Sequence, residues 1–418
     1  MKKTTKGAWL INHTNRLGDV KGSYEFEDIE LAGKCGVFLS NLAASNEQSD
    51  LSIEKVDAIA KVSNIKKTEI ETIKTILENA ELIQTASNGS LSVLGITTSS
   101  VLSHTSDIFE NSQPSNFQRA ALELSDNISD LPKEEKLLTE YISDIYTLPN
   151  HETKNLFGQA EEIGFVDYET LDDGTKLYFN GNLFRREVAK KTSAVIASLK
   201  PDDRNRMSTL DELLIAEGCV TIEMGTQVLG ENLLSKLQSI GMYDFNQVSN
   251  STESKIIITK PSAFSKYGNP FEEDALDLAK AFVSSLYYGM NFSEYSRGKI
   301  SMLQALLRKL VNGQEVGPAT AIGEDYRLLE LKRVVQLRRD TKYPNRYYMR
   351  LLKIDIGVLA MQVLEFGEAA ESAVLGSAMS LGSVTNYQGP ENIRQITRKK
   401  QATHTKEDVG LTLRTFRS

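Results

Sequence analysis

Apolar residues recur along the chain at spacings of three and four in pairs of short segments. Each pair leads into a stretch where apolar and polar residues alternate. The first spacing marks one face of a helix, and the second marks a half-buried strand. The clearest instance reads Gln159-Ala160-Glu161-Glu162-Ile163-Gly164-Phe165-Val166-Asp167-Tyr168, then Leu171-Asp172-Asp173-Gly174, then Lys176-Leu177-Tyr178-Phe179-Asn180. Asp-Gly between alternating runs is a hairpin signal. The same order returns at Ile240-Gly241-Met242-Tyr243-Asp244-Phe245, with a polar turn over 249–253 and a return strand Lys255-Ile256-Ile257-Ile258-Thr259. An earlier instance runs Glu81-Leu82-Ile83-Gln84, Ser87-Asn88-Gly89-Ser90, Leu91-Ser92-Val93-Leu94. The break residues Glu81, Gly164 and Gly241 lie 83 and 77 residues apart, the size of a small domain, which points to an internal repeat.

Two helical stretches precede each hairpin: 52–62 and 67–79, then 134–146 and 152–162, then 209–216 and 227–239. A fourth, divergent copy starts with an apolar-periodic helix over 302–311. It breaks at Gly317-Pro318 and continues in a second helix through Tyr326, Leu328, Leu329 and Leu331. Its hairpin is Val334-Val335-Gln336-Leu337-Arg338-Arg339, a turn over 340–345, and a return strand over 346–353. Alternation puts Val335, Leu337, Met349 and Leu351 on one face, and Gln336, Arg338, Arg346, Tyr348 and Arg350 on the other. Arg333 occupies the break position.

Helix, short turn, helix, two-stranded hairpin is the winged helix-turn-helix order. Over roughly residues 50–355 the chain resembles tandem winged helix-turn-helix proteins, a superfamily that includes many prokaryotic transcription regulators. The resemblance implies DNA binding, with the second helix in the major groove and the hairpin on backbone or minor groove. The expected fold class is mainly α with small β-hairpins (α+β): tandem winged helix-turn-helix modules linked by helices. The expected division is an N-terminal segment packing on the first module (1–49), winged helix 1 (50–100), a linker helix (101–131), winged helix 2 (132–200) and winged helix 3 (201–265). A connecting helix (266–298), a basic winged helix 4 (299–355), a helix with a Gly/Ser-rich stretch (356–390) and a basic tail (391–418) complete it. The amphipathic stretches 271–288 and 354–373 read as core helices or as dimer seams.

Charge locates the candidate interface. The chain of 418 residues carries 48 Lys+Arg against 56 Asp+Glu, a net of −8. Residues 1–296 hold a net of −16 and residues 297–418 a net of +8, an asymmetry that points to an acidic or nucleic-acid partner for one part only. In the first three copies the lysines are offset by neighbouring acids, such as Lys66, Lys67 and Lys74 by Glu69, Glu71, Glu78 and Glu81, so that surface repels phosphate. The acidic modules at 132–265 are instead expected to hold a protein partner or a second copy. On the fourth hairpin Arg338, Arg339, Lys342, Arg346, Arg350 and Lys353 face only Asp340, with Tyr343, Tyr347 and Tyr348 interleaved, which suits phosphate contacts with stacking. The expected nucleic-acid contacts are Arg333, Arg338, Arg339, Lys342, Arg346, Tyr348, Arg350 and Lys353, joined by Arg398, Lys399 and Lys400 of the tail. The competing reading of this basic hairpin is one that pairs with the acidic portion of its own or another subunit.

Enzyme chemistry finds little support. The histidines His13, His104, His151 and His404 form no metal-ligand spacing, and no phosphate-cradling loop or nucleophile elbow occurs. His13 is expected to be a hydrogen-bonded residue near a domain surface rather than a catalytic base. Asp172-Asp173 and Glu161-Glu162 are expected to be solvated acids rather than metal ligands. Cys35 and Cys219 make neither a disulfide framework nor a thiolate zinc site. With 40% hydrophobic residues the chain has enough apolar material to fold. It shows no run of about 20 apolar residues to span a membrane. No secretory signal is read from Met1-Lys2-Lys3-Thr4-Thr5, so a cytoplasmic site is expected. No cofactor or metal is expected. The leading expectation is a non-enzymatic DNA-binding protein, a transcription regulator or the DNA-recognising subunit of a larger system. The alternative is a scaffold or adaptor in a bacterial phage-defence or mobile-element complex.

Overall fold

The computed structural model describes residues 1–17, 24–45, 51–184, 186–249, 254–267, 273–293, 295–370 and 372–373, all within one unit, 1–378. The N-terminal part begins with α1 (Lys3–Leu17) and α2 (Glu27–Ala44). Then come α3 (Ile53–Val62), α4 (Ile70–Asn79), β1 (Ile83–Thr85) and β2 (Leu91–Val93). Next are α5 (Thr98–Asn111), α6 (Asn116–Asp130), β3 (Lys133–Glu134), α7 (Glu135–Tyr146), α8 (Asn150–Ile163), β4 (Asp167–Thr170) and β5 (Lys176–Phe179). The middle holds α9 (Arg186–Ala197), α10 (Pro201–Glu217), β6 (Val220–Thr221), α11 (Ile222–Leu229), α12 (Glu231–Ser239), β7 (Asp244–Ser249) and β8 (Ser254–Thr259). After α13 (Pro261–Ser265) and α14 (Glu273–Asn291) follow α15 (Leu303–Val311), β9 (Val316–Ala319), α16 (Thr320–Asp325) and α17 (Arg327–Leu331). The described part closes with β10 (Val335–Arg339), β11 (Tyr347–Leu351) and α18 (Ile354–Phe366). The architecture is mainly helical with small antiparallel sheets.

Four segments share one order: helix, short strand, helix, helix, strand, strand. In the second, third and fourth copies the short strand pairs with the last one, giving β3-β5-β4, β6-β8-β7 and β9-β11-β10. In the first copy a single bridge, Leu51 to Leu91, takes that place. The hairpins expected from the sequence are therefore one edge strand and the central strand of three-stranded sheets in copies two to four. The third strand shows no alternation, because β3 and β6 have two residues each and β9, with four, contains Gly317-Pro318.

Each second helix ends by one device. The residue at the break adopts a left-handed backbone: Glu81 (φ 58°), Gly164 (85°), Gly241 (67°) and Arg333 (55°). The amide of the following residue then reaches back five positions, Leu82 to Leu77, Phe165 to Ala160, Met242 to Leu237 and Val334 to Leu329, at 2.8–3.0 Å. All eight of these residues are buried. This is a Schellman-type stop: orphan carbonyls are satisfied, and an apolar contact clips the first strand of the hairpin onto the helix.

Several boundaries differ from expectation. The pair expected at 209–216 and 227–239 is instead α11 and α12, split at Gly230 (φ 77°), while 209–216 is the end of α10. In the fourth copy the expected second helix is instead the helix pair α16 and α17, and α15 is the helix before the short strand β9. The stretch 101–131 is two helices rather than one linker. The segment 1–49 supplies two helices. α2 is the first helix of copy one, wedged between α1 and α5. A Cβ at Gly33 would collide with Thr14 and Leu10 of α1, and one at Gly36 with Thr105 of α5. The expected helices 271–288 and 354–373 are α14 and α18. They bury Phe282, Val283, Leu286, Leu359, Ala360 and Val363 in one core with the fourth copy, so these stripes are not dimer seams.

Candidate nucleic-acid interface

The β10–β11 register sets the candidate site. Val335 lies opposite Leu351 and Leu337 opposite Met349, while Gln336 lies opposite Arg350 and Arg338 opposite Tyr348. Val335, Met349 and Leu351 are buried with Leu307, Leu310 and Leu329. Burying that face forces its partner outward, and Arg338 and Arg350 are exposed. The guanidinium of Arg338 stands over the Tyr348 ring at 4.5 Å. At the tip, Tyr343 is flanked by Arg346 at 4.9 Å and Lys342 at 5.3 Å. The turn is fixed by Asp340 N–H donating to Arg346 O at 2.8 Å and by the Arg339 side chain donating to Pro344 O.

Two expectations about this hairpin are corrected. Asp340 is not the sole opposing acid. Glu315, just before β9, accepts from Arg338 Nη2 at 2.7 Å. Hydrogen bonds from Arg338 hold the Glu315 carboxyl below its ordinary range. Asp340 meanwhile accepts the Lys342 amide at 3.3 Å within the turn. Tyr347 does not interleave for stacking either. It is half-buried on α16, where a Cβ on Gly323 would meet its ring. Arg333, Arg339, Lys342, Arg346 and Arg350 are exposed, Lys353 is half-buried at the start of α18, and none forms an ion pair with another described residue. Arg398, Lys399 and Lys400 lie outside the described residues, as does the rest of the tail. The C-terminal excess divides evenly, +4 within 297–373 and +4 within 374–418.

The helix beside this hairpin is a poor reader of bases. α17 has five residues; Leu328 and Leu331 are exposed by 56% and 80%, and of the exposed polar pair beside them Arg327 donates to Gly323 O at 2.8 Å and Glu330 accepts the Leu337 amide at 3.3 Å.

The remaining candidates have structural partners. His13 is not near a surface. It is fully buried, stacked on Phe165 with centroids 3.8 Å apart, and its Nε2 lies 3.0 Å from Ser125 Oγ. Burial, with Arg16 nearby, pushes its pKa well down, so the ring is neutral. Glu161 accepts from Lys176 at 2.6 Å and also from the Tyr178 hydroxyl, so it is not a free acid. Asp173 accepts the Thr175 amide at 2.9 Å in its turn. Burial pushes the Cys35 thiol up to about 12 and raises Cys219 as well, which removes thiolate chemistry from both. Among the described residues no cluster of His, Cys, Asp and Glu has metal-binding geometry, and no helix is long and apolar enough to cross a membrane.

No family model and no curated protein sequence matches the chain.

Proposed function

We propose that the chain is a non-enzymatic tandem winged helix-turn-helix protein that binds DNA through the β10–β11 hairpin, as a transcription regulator or as the DNA-recognising subunit of a larger system. The repeated order of helix, strand, helix, helix, strand, strand supports the module assignment. The observation that carries DNA binding is the outward face of one hairpin, where Arg338, Tyr348 and Arg350 stand together beside the cationic tip of Lys342, Tyr343 and Arg346. Cations of this kind release counterions from phosphate, and a Tyr ring flanked by Arg can stack on an unpaired base or enter a groove. With α17 only five residues long and Leu328 and Leu331 among its exposed side chains, the binding is to backbone rather than to base edges, and sequence preference is weak. The test is retention on duplex DNA at about 50 mM salt, with affinity falling by several log units per log of salt. Arg338→Ala combined with Arg350→Ala flattens that slope, and a wild-type protein that does not bind ends the proposal.

The second reading, a scaffold or adaptor in a phage-defence or mobile-element complex, rests on the acidic modules and the bare leucines of α17. A purified partner complex whose affinity is untouched by the same two substitutions favours it.

A further inference from the structure

Two apolar ridges of opposite rim charge stand on the surface of this molecule. On α7, Leu137, Tyr141 and Ile145 are exposed by 59%, 39% and 52%. Their spacing of four aligns them as one ridge about 12 Å long. Lys136, Glu140 and Asp144 run beside it, also exposed. Over 134–144 the chain holds four acids, Glu134, Glu135, Glu140 and Asp144, against one lysine. On α17, Leu328 and Leu331 share a face three residues apart, rimmed by Arg327, Lys332 and Arg333 against Glu330. Neither Glu140, Asp144, Lys332 nor Arg333 forms an ion pair with another described residue. Scattered exposed leucines are ordinary. A pair of ridges with complementary, unused rims on one chain is a surface looking for its match.

We propose that the chain associates with itself head to tail, the α7 ridge of one copy seating on the α17 face of a second copy. Charge decides the pairing. Two α7 ridges face to face would bring Glu140 and Asp144 against their own kind, and two α17 faces would oppose Lys332 and Arg333. Only the mixed contact joins unlike charges, and electrostatic complementarity selects register and partner in this way. Because the two surfaces are different, the contact either occurs twice in a two-fold dimer, each copy giving and receiving a ridge, or builds a ring or an open array. This inference does not depend on DNA binding, since neither ridge includes the β10–β11 hairpin.

The experiment is sedimentation or light scattering of the full chain over a range of concentrations. The mass of the wild type rises with concentration to that of a dimer or beyond. Leu137→Glu with Ile145→Glu, or Leu331→Glu alone, leaves a monomer. An equimolar mixture of those two variants forms a one-to-one dimer and stops there, because each retains one intact ridge. Glu140→Lys with Asp144→Lys keeps every apolar residue and weakens association about tenfold, and Lys332→Glu with Arg333→Glu on the second copy recovers it. That charge pair carries the test if the leucine variants fail to fold by circular dichroism. A wild type that stays monomeric throughout, or a variant mixture that does not pair, overturns the proposal.

Discussion

The ammonium of Lys266 lies 2.6 Å from the carboxylate of Asp126, at the meeting of α6 with the segment that follows the third copy. Glu368, beyond α18, holds the same ammonium from 3.1 Å, and Trp9 of α1 donates its indole N–H to Asp126 at 2.9 Å. Burial works against the charge, but the two carboxylates outweigh it and keep Lys266 more basic than a free lysine. Residues separated by more than 350 positions are thereby tied at one point.

Lys266→Met would leave both carboxylates without their cation in a site where the lysine side chain is 10% exposed. Removing one partner of a buried pair costs about 3–5 kcal/mol. Urea unfolding should read a loss of that order. Arg206→Ala, which breaks an exposed pair with Asp202, should cost less than about 1 kcal/mol.

His13 predicts how stability varies with pH. Its folded pKa lies well below the 6.5 of an ordinary histidine, so the unfolded chain takes up the proton first. Stability from this residue is complete above pH 6.5 and is lost as pH falls from there towards the folded pKa. His13→Gln should flatten that part of the curve relative to wild type in paired urea titrations. An unchanged difference across the window would refute the assignment of a neutral buried ring.

The break residues predict substitutions of opposite sign. Arg333 carries a side chain at φ 55°, where glycine is at ease, so Arg333→Gly should stabilise by roughly 0.5–1 kcal/mol. Gly164→Ala at φ 85° should destabilise by about 1–2 kcal/mol. Thermal midpoints of the two variants moving in the same direction would contradict the shared stop geometry.

Glu315 predicts a gain of affinity. It neutralises Arg338 in the free protein. If the hairpin binds phosphate, Glu315→Gln should tighten binding several-fold at low salt and raise the salt slope by about one unit. Arg350→Ala, whose guanidinium is in no ion-pair contact with Glu315 as Arg338 is, should weaken binding more than Arg338→Ala does. Equal losses would mean that the Arg338–Glu315 pair does not persist in solution.

Alternation and Asp-Gly made the hairpins legible, and the apolar stripes marked most of the helices. The outward row Arg338, Tyr348 and Arg350 was legible for the same reason, since pleating leaves no choice once Val335, Met349 and Leu351 are buried. What was hidden depends on pairing between distant or very short segments. β3 and β6 have two residues each, too few to carry a period. Gly230 sits inside a run that otherwise reads as one helix, so the expected helix 227–239 takes the end of α11 together with α12. α1 is buried on nearly every side, which erases the stripe that would announce it. Glu315 meets Arg338 because β9 lies beside β11, and that adjacency is written in no local pattern. His13 looked like a surface residue because its neighbours Asn12, Thr14 and Asn15 are polar, yet two of those three are buried with it.

The seam between α14 and α18 bears on how this molecule can be divided. Those helices stand at either end of the fourth copy in sequence, and they complete its core with Phe282, Leu286, Leu359 and Val363. A fragment trimmed to α15 through β11 would keep every basic residue of the hairpin except Lys353 and lose the walls that hold its sheet in place. The same core takes in Cys219, Ile257 and Phe264 from before α14, so the repeat that organises the sequence is shorter than the piece that shares a core.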